Sequence, residues 1–190
     1  MDRLRVVDQV GAALEGLVPG SRVSLRGSLA RGTADKYSDI DLLWVVPDAS
    51  FTAALDGLPQ ALTAATRRVD PDFARSDRRR LVFLRLPGLP LFWRIDLDVR
   101  AASVADDEHY DVDNPAARST DGWSAAASAL ENAIAAVKAE RRGRSAEGLL
   151  ERGFARIGRA NTGSPYDLAD ACVAIEPGLR ELADELKRSG

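Results

Sequence analysis

The sequence predicts an α+β fold: a short mixed β-sheet core with flanking helices over residues 1–115, followed by a C-terminal helical bundle over 116–190. Three observations point there. Apolar runs at about 22–26, 39–46, 79–86 and 91–99 have the length of strands. Apolar residues at three- and four-residue spacing mark a helix before the first run and a series of helices from about residue 122 onward. At 190 residues and 45% hydrophobic content, the chain can bury a real core as one domain plus a small appendage.

Each element has its own signal. Val6, Val10, Leu14 and Leu17 share one face of a helix over 2–17 that Pro19-Gly20 ends. A strand at about 22–26 leads into the Gly27-Ser28 turn and a short segment to Lys36. The next strand, 39–46, stops at Pro47. Ser50 is placed to cap a helix carrying Phe51, Ala54, Leu55 and Leu58, which Gly57 and Pro59 weaken enough to divide it in two. Pro87-Gly88-Leu89-Pro90 separates the last two strand-like runs, so 79–86 and 91–99 read as a hairpin. Residues 101–120 are polar and end at Asn114-Pro115, a loop or linker. Helices then follow on Trp123/Ala126/Leu130/Ile134/Val137, on Leu149/Leu150/Phe154/Ile157, after Ser164-Pro165 through Leu168 and Cys172, and after Pro177 with Leu179, Leu182 and Leu186.

Composition narrows the function. A net charge of −3 and a pI near 5.3 argue against a general nucleic-acid binder. One cysteine and one histidine exclude a disulfide framework and any multi-cysteine or multi-histidine metal site. The first residues lack an apolar signal core and no stretch approaches 18 apolar residues, so a soluble cytoplasmic chain without membrane contact is expected.

The chemistry concentrates between residues 26 and 46. Asp39 and Asp41 lie two apart in a strand, hence on one face, roughly 7 Å from each other along the chain. They stand close in sequence to a Gly27-Ser28 turn whose following N–H groups can face an anion. Later, Asp96 and Asp98 again share one face, while Ile95, Leu97 and Val99 take the other. A third carboxylate from that strand completes a set suited to two divalent ions about 4 Å apart, as nucleotidyl transfer requires. Asp96 lies deeper in the apolar run than Asp98 and is the preferred third ligand. Asp98 is left as a general base on an acceptor hydroxyl or as an outer supporting group. Arg31 and Lys36 are placed to neutralise phosphate charge, although Arg31 suits a structural ion pair equally well.

The stretch Gly27-Ser28-Leu29-Ala30-Arg31-Gly32, then Ser38-Asp39-Ile40-Asp41-Leu42, resembles the active-site motif of the DNA polymerase beta-like nucleotidyltransferase superfamily. It is most similar to the minimal bacterial nucleotidyltransferases and to the antibiotic-modifying ones. Arg94-Ile95-Asp96-Leu97 resembles the strand that carries the family's third carboxylate. The resemblance implies a short mixed sheet with helices, phosphate binding at Gly27 and Ser28, and Mg²⁺ (two ions) held by Asp39, Asp41 and Asp96. It covers residues 22–46 and 92–99. The expected activity is transfer of a nucleoside monophosphate, AMP from ATP or another nucleoside triphosphate, to a small hydroxylated acceptor such as an antibiotic. The alternatives are a partner toxin protein as acceptor, with the chain as its antitoxin, and a non-catalytic nucleotide-binding module. Nucleic acid is not the expected partner.

Other residues read more plainly. His109 sits in an acidic loop and is expected at the surface. Arg78-Arg79-Arg80 is read as a solvated strand start, with contact to an anionic substrate as its alternative. Lys138, Arg141, Arg142 and Arg144 form a charged helix end. Cys172 is expected to be a small buried hydrophobe, not a nucleophile.

Overall fold

The computed structural model of the chain describes residues 2–62, 68–75 (backbone only), 77–86, 88–110 and 124–189. They fall into two compact units, Met1–Gly122 and Trp123–Gly190. The division expected between 115 and 116, the linker residues 111–120 and the side chain of Trp123 lie outside the described residues.

The first unit runs α1 (Arg3–Leu17), β1 (Arg22–Leu25), α2 (Gly27–Ala30), β2 (Ile40–Val46), α3 (Phe51–Ala61), β3 (Arg68–Arg75), β4 (Arg79–Arg85) and β5 (Ile95–Ala101). The strands form one sheet in the order β1-β2-β5-β4-β3. β2 and β5 pair in parallel at its centre and the other pairs are antiparallel, so the sheet is mixed as expected. Side-chain alternation divides it into two faces. Ile40, Leu42, Trp44, Val46, Val82, Leu84, Ile95, Leu97 and Val99 form the core with Val6, Val10 and Leu14 of α1 and Phe51, Ala54 and Leu58 of α3. Each large side chain buried there contributes about 1.5–3 kcal/mol. The opposite face carries the polar residues of β2 and β5.

Asp2 caps α1 by accepting from the Leu4 N–H at 3.3 Å. Gly57 lets α1 and α3 close up, since a Cβ there would stand 3.0 Å from Leu17 Cδ1. That contact explains why the chain tolerates Gly57. α3 is one helix, not two, because Pro59 falls near its C-terminal end, where the missing N–H interrupts little of the ladder. Ser50 makes no side-chain cap to it. It belongs instead to a 3₁₀ turn, with its N–H donating to the Pro47 carbonyl at 2.8 Å.

Two strand assignments change. The hairpin exists, but its second strand begins at Ile95, not at residue 91. Residues 91–94 lie before the first ladder pair of the hairpin, Leu84 with Ile95; Leu91 and Phe92 are both buried there, and Phe92 packs edge-on to Tyr37 at 5.5 Å. The segment 68–75, given no element from sequence, forms edge strand β3. Its register with β4 shifts between Asp70 and Ala74, around Pro71, the place where an edge strand accepts a proline. At the other edge, the Val23 N–H donates to the Glu15 carboxylate of α1 at 2.8 Å.

The second unit holds α4 (Ala125–Arg141), α5 (Glu147–Arg156), α6 (Pro165–Ile175) and α7 (Arg180–Arg188). Ser124 caps α4 by accepting from the Ala127 N–H at 3.0 Å, and Ser164 caps α6 by accepting from the Asp167 N–H at 3.2 Å. Ala126, Leu130, Ala133, Ile134 and Val137 are buried on α4, Leu150 and Phe154 on α5, Leu168 and Cys172 on α6, and Leu182 and Leu186 on α7. Gly153 sits where α5 crosses α4, and a Cβ there would stand 3.2 Å from that of Asn132. No helix among the described residues is long and apolar enough to cross a membrane.

Cys172 is fully buried, and burial pushes its thiol up to about 11, with the Glu176 charge adding to the effect. Its reaction with a thiol reagent at pH 8 is therefore expected to be at least about tenfold slower in the folded protein than in urea. Equal rates in the two conditions would contradict this packing.

Candidate active site

The site is built by the start of β2 and the strands on either side. The Arg26 N–H donates to the Asp41 carbonyl at 2.8 Å, carrying the β1–β2 ladder up to the turn. On the other side the Ile40 N–H donates to the Arg94 carbonyl at 2.9 Å, and Asp41 stands directly opposite Asp96 in the parallel register. Parallel partners point to the same face. Asp41, Asp96 and Asp98 therefore look away from the core that Ile40, Leu42, Ile95, Leu97 and Val99 fill.

Gly27 is the tightest point. It has φ +62°, and a Cβ on it would overlap the Asp41 carboxylate, standing 2.6 Å from Cγ. Only glycine lets the turn of α2 close onto that carboxylate. Gly32, five residues on, also has positive φ (+70°) but faces open space. Ser28 is half-buried in α2, its carbonyl accepting from the Thr33 N–H at 2.9 Å.

Gly27, Asp41, Asp96 and Asp98 line one cleft of about 760 Å³, together with Arg26, Phe83, Arg94, Arg100, Asp106 and Glu108. Asp39 is half-buried just before β2, close enough for its charge to act on Asp96. Burial pushes the Asp96 carboxyl above the usual carboxylate range, Arg94 pulls it back, and the Asp39 and Asp41 charges push it up again. Like charges facing one another in a partly buried place fit a divalent cation with oxygen ligands. As they stand, no set of three or more His, Cys, Asp or Glu side chains among the described residues is gathered tightly enough to hold a metal. Arg94 accounts for this on the Asp96 side: Nε donates to Asp96 Oδ1 at 2.6 Å and Nη2 to Oδ2 at 2.8 Å, occupying both oxygens.

Asp98 is engaged as well. Arg79 Nε donates to Oδ1 at 3.0 Å, while Oδ2 accepts from Arg79 Nη2 at 3.2 Å and from Arg100 Nε and Nη2 at 3.0 and 2.9 Å. The same arginines reach the next loop, Arg100 donating to the Asp107 carbonyl at 2.7 Å and Arg79 to that of Tyr110 at 2.8 Å. Arg79 is thus a half-buried partner of Asp98, not the solvated strand start that the sequence suggests. Arg31 and Lys36 are exposed and do not line the cleft, and Lys36 Nζ stands 4.9 Å over the Tyr37 ring. His109 is at the surface.

Sequence reasoning missed Arg26, Arg94 and Arg100 as cleft residues, and Arg79 as a partner of Asp98. A signal was present for two of them. Arg94, Asp96, Asp98 and Arg100 alternate along β5 and its approach, so all four share one face.

Residues 7–77 match the family model of the nucleotidyltransferase domain. No curated protein matches the chain. Among solved structures, a cytoplasmic RNA terminal U-transferase shares 23% identity over 51% of this chain and 29% of its own, with a TM-score of 0.41. The Cid1 poly(U) polymerase with bound MgGTP shares 20% over 53% and 31%, TM-score 0.40, and the GLD-2/RNP-8 complex 17% over 54% and 32%, TM-score 0.43. The chain spans about a third of the length of these structures.

Gly27→Ala is expected to destabilise the fold by about 1–3 kcal/mol, from backbone strain and overlap with Asp41 together. Gly32→Ala meets the strain alone and should cost less. Urea denaturation of the two variants measures the difference, and equal losses would remove the Asp41 contact as the cause.

Proposed function

We infer, from a chain whose residues 7–77 match the model of a nucleotidyltransferase domain, that the cleft transfers a nucleoside monophosphate, AMP by preference, from a nucleoside triphosphate to a small hydroxylated acceptor. The observation that carries this reading is the juxtaposition of the Gly27 turn with Asp41, and of Asp41 with Asp96 across the parallel register. A phosphate-facing turn beside paired carboxylates is what a triphosphate–metal complex needs.

In this reading Asp39, Asp41 and Asp96 would hold Mg²⁺, two ions in the full complement, whose chemistry would be to supply positive charge beside the phosphates. Gly27 and Ser28 receive the β and γ phosphates. Arg31 and Lys36, on the exposed loop that follows, compensate charge at its outer end. The acceptor oxygen forms a bond to the α-phosphorus, the bond from that phosphorus to the bridging oxygen breaks, and pyrophosphate leaves with the electron pair. The hydroxyl proton passes to Asp98. Its Oδ1 carries a single guanidinium bond and keeps a lone pair for that proton, whereas Oδ2 is filled. The cleft volume of about 760 Å³ lies within the range of small-molecule sites. A cytoplasmic setting, where nucleoside triphosphates abound, suits this chemistry.

The first test is calorimetric titration with a non-hydrolysable ATP analogue, with and without Mg²⁺. Magnesium-dependent binding is expected, and Asp41→Ala should weaken it by roughly 100-fold or more while leaving the melting temperature near that of the parent. The absence of binding in any condition would turn the reading to a non-catalytic module. Pyrophosphate release is then followed over small hydroxylated acceptors, candidate toxin proteins and RNA 3′ ends, because an acidic balance does not itself exclude a nucleic-acid acceptor. Asp98→Asn is expected to lower turnover by about 10²-fold or more with analogue binding unchanged. Full turnover in that variant would remove Asp98 as the base.

A further inference from the structure

Arg94 does more in this cleft than balance a charge. Its guanidinium forks onto both oxygens of Asp96, at 2.6 and 2.8 Å, and lies 4.4 Å over the ring of Phe83, the residue directly opposite Asp96 on β4. Both members of the pair are largely covered, with side-chain exposures of 21% and 26%. A bidentate fork of this kind leaves the carboxylate little freedom to turn an oxygen toward anything else. Asp96 is nonetheless the residue whose backbone register places it beside Asp41, facing the same cleft.

Resting on the nucleotidyl-transfer reading above, we propose that Arg94 is a positioning residue that holds Asp96 in reserve, releasing it for metal ligation only when a triphosphate offers the guanidinium other oxygens. The two events are then linked. Breaking the fork without an incoming anion costs the full charge-assisted pair. With phosphates in the cleft, the fork exchanges one set of anionic oxygens for another, and Asp96 turns free. Linkage makes the effect reciprocal: nucleotide raises the affinity of the carboxylates for a divalent cation by the same factor that the cation raises affinity for nucleotide. The protein is thereby spared from filling its carboxylates with a cation that carries no substrate.

The test uses Mn²⁺ as the probe, with free ion read by electron paramagnetic resonance in the full chain, first without nucleotide. The parent is expected to bind weakly. Arg94→Gln removes the fork and its charge, and Arg94→Lys keeps the charge but cannot span both oxygens. Both are expected to bind Mn²⁺ about 10- to 100-fold more tightly than the parent, and the gain should vanish when Asp96→Asn is added. A general loss of structure would weaken binding in both. A purely Coulombic role would leave Arg94→Lys unchanged, and that result overturns the proposal, as does unchanged or weaker binding in Arg94→Gln. Absence of Mn²⁺ binding in parent and variants alike, with and without the ATP analogue, would instead overturn the metal–nucleotide reading of the cleft.

Discussion

The parallel pairing of β2 with β5 is the constraint on which the site depends. A parallel ladder sets like positions of two strands side by side, and here the register matches Ile40 with Ile95, Asp41 with Asp96, and Leu42 with Leu97. One set of hydrogen bonds thus does two jobs. It drives apolar pairs into the core under α1 and α3, and it lifts two carboxylates together onto the opposite face. Slipping the register by one residue would bury the aspartates and expose the isoleucines. The core therefore selects the register, and the register assembles the site.

The neighbours of this pair add what the carboxylates need. Gly27 brings the turn of α2 into contact with Asp41, and β4 sets Phe83 opposite Asp96 and Leu81 opposite Asp98. Arginines then divide the acidic row: Arg94 takes Asp96, while Arg79 and Arg100 take Asp98 and fasten the loop that follows β5. Asp48 secures the near part of the same loop by accepting from the Ser103 hydroxyl and from the Ser103 N–H at 2.9 Å, and these two bonds, the hydroxyl's first, hold the Asp48 carboxyl below its usual range. The wall of the cleft from Ala105 to Glu108 is consequently tied at both ends.

Much of this was legible in the sequence, because it rests on short-range patterns. Alternation placed Asp96 with Asp98 on one face of β5, whereas Asp39, read as the start of a strand, precedes β2, and Pro19-Gly20, Pro47 and Ser164-Pro165 punctuate the elements where the chain turns. What escaped depends on tertiary context. β3 is disguised by Pro71 and by charged residues that only an edge strand tolerates, and Leu91-Phe92 imitates a strand because a loop that plugs a core has the same composition as a strand that lines one. The arginines escaped for another reason. Arg79 looks like part of a solvated basic run, and only the pairing of β4 with β5 shows that its neighbour across the ladder is Arg100 and that Asp98 lies within reach of both.

The two margins of the sheet carry a consequence for assembly. At β1, which is four residues long, the outward Val23 amide is already taken by Glu15. At β3, the register breaks around Pro71. An extended peptide seeking to add a sixth strand meets a short, carboxylate-capped margin on one side and an interrupted one on the other. Main-chain templating by a foreign segment is discouraged at both places. Any macromolecular companion of this unit is left to engage side chains, on helices or at the mouth of the cleft.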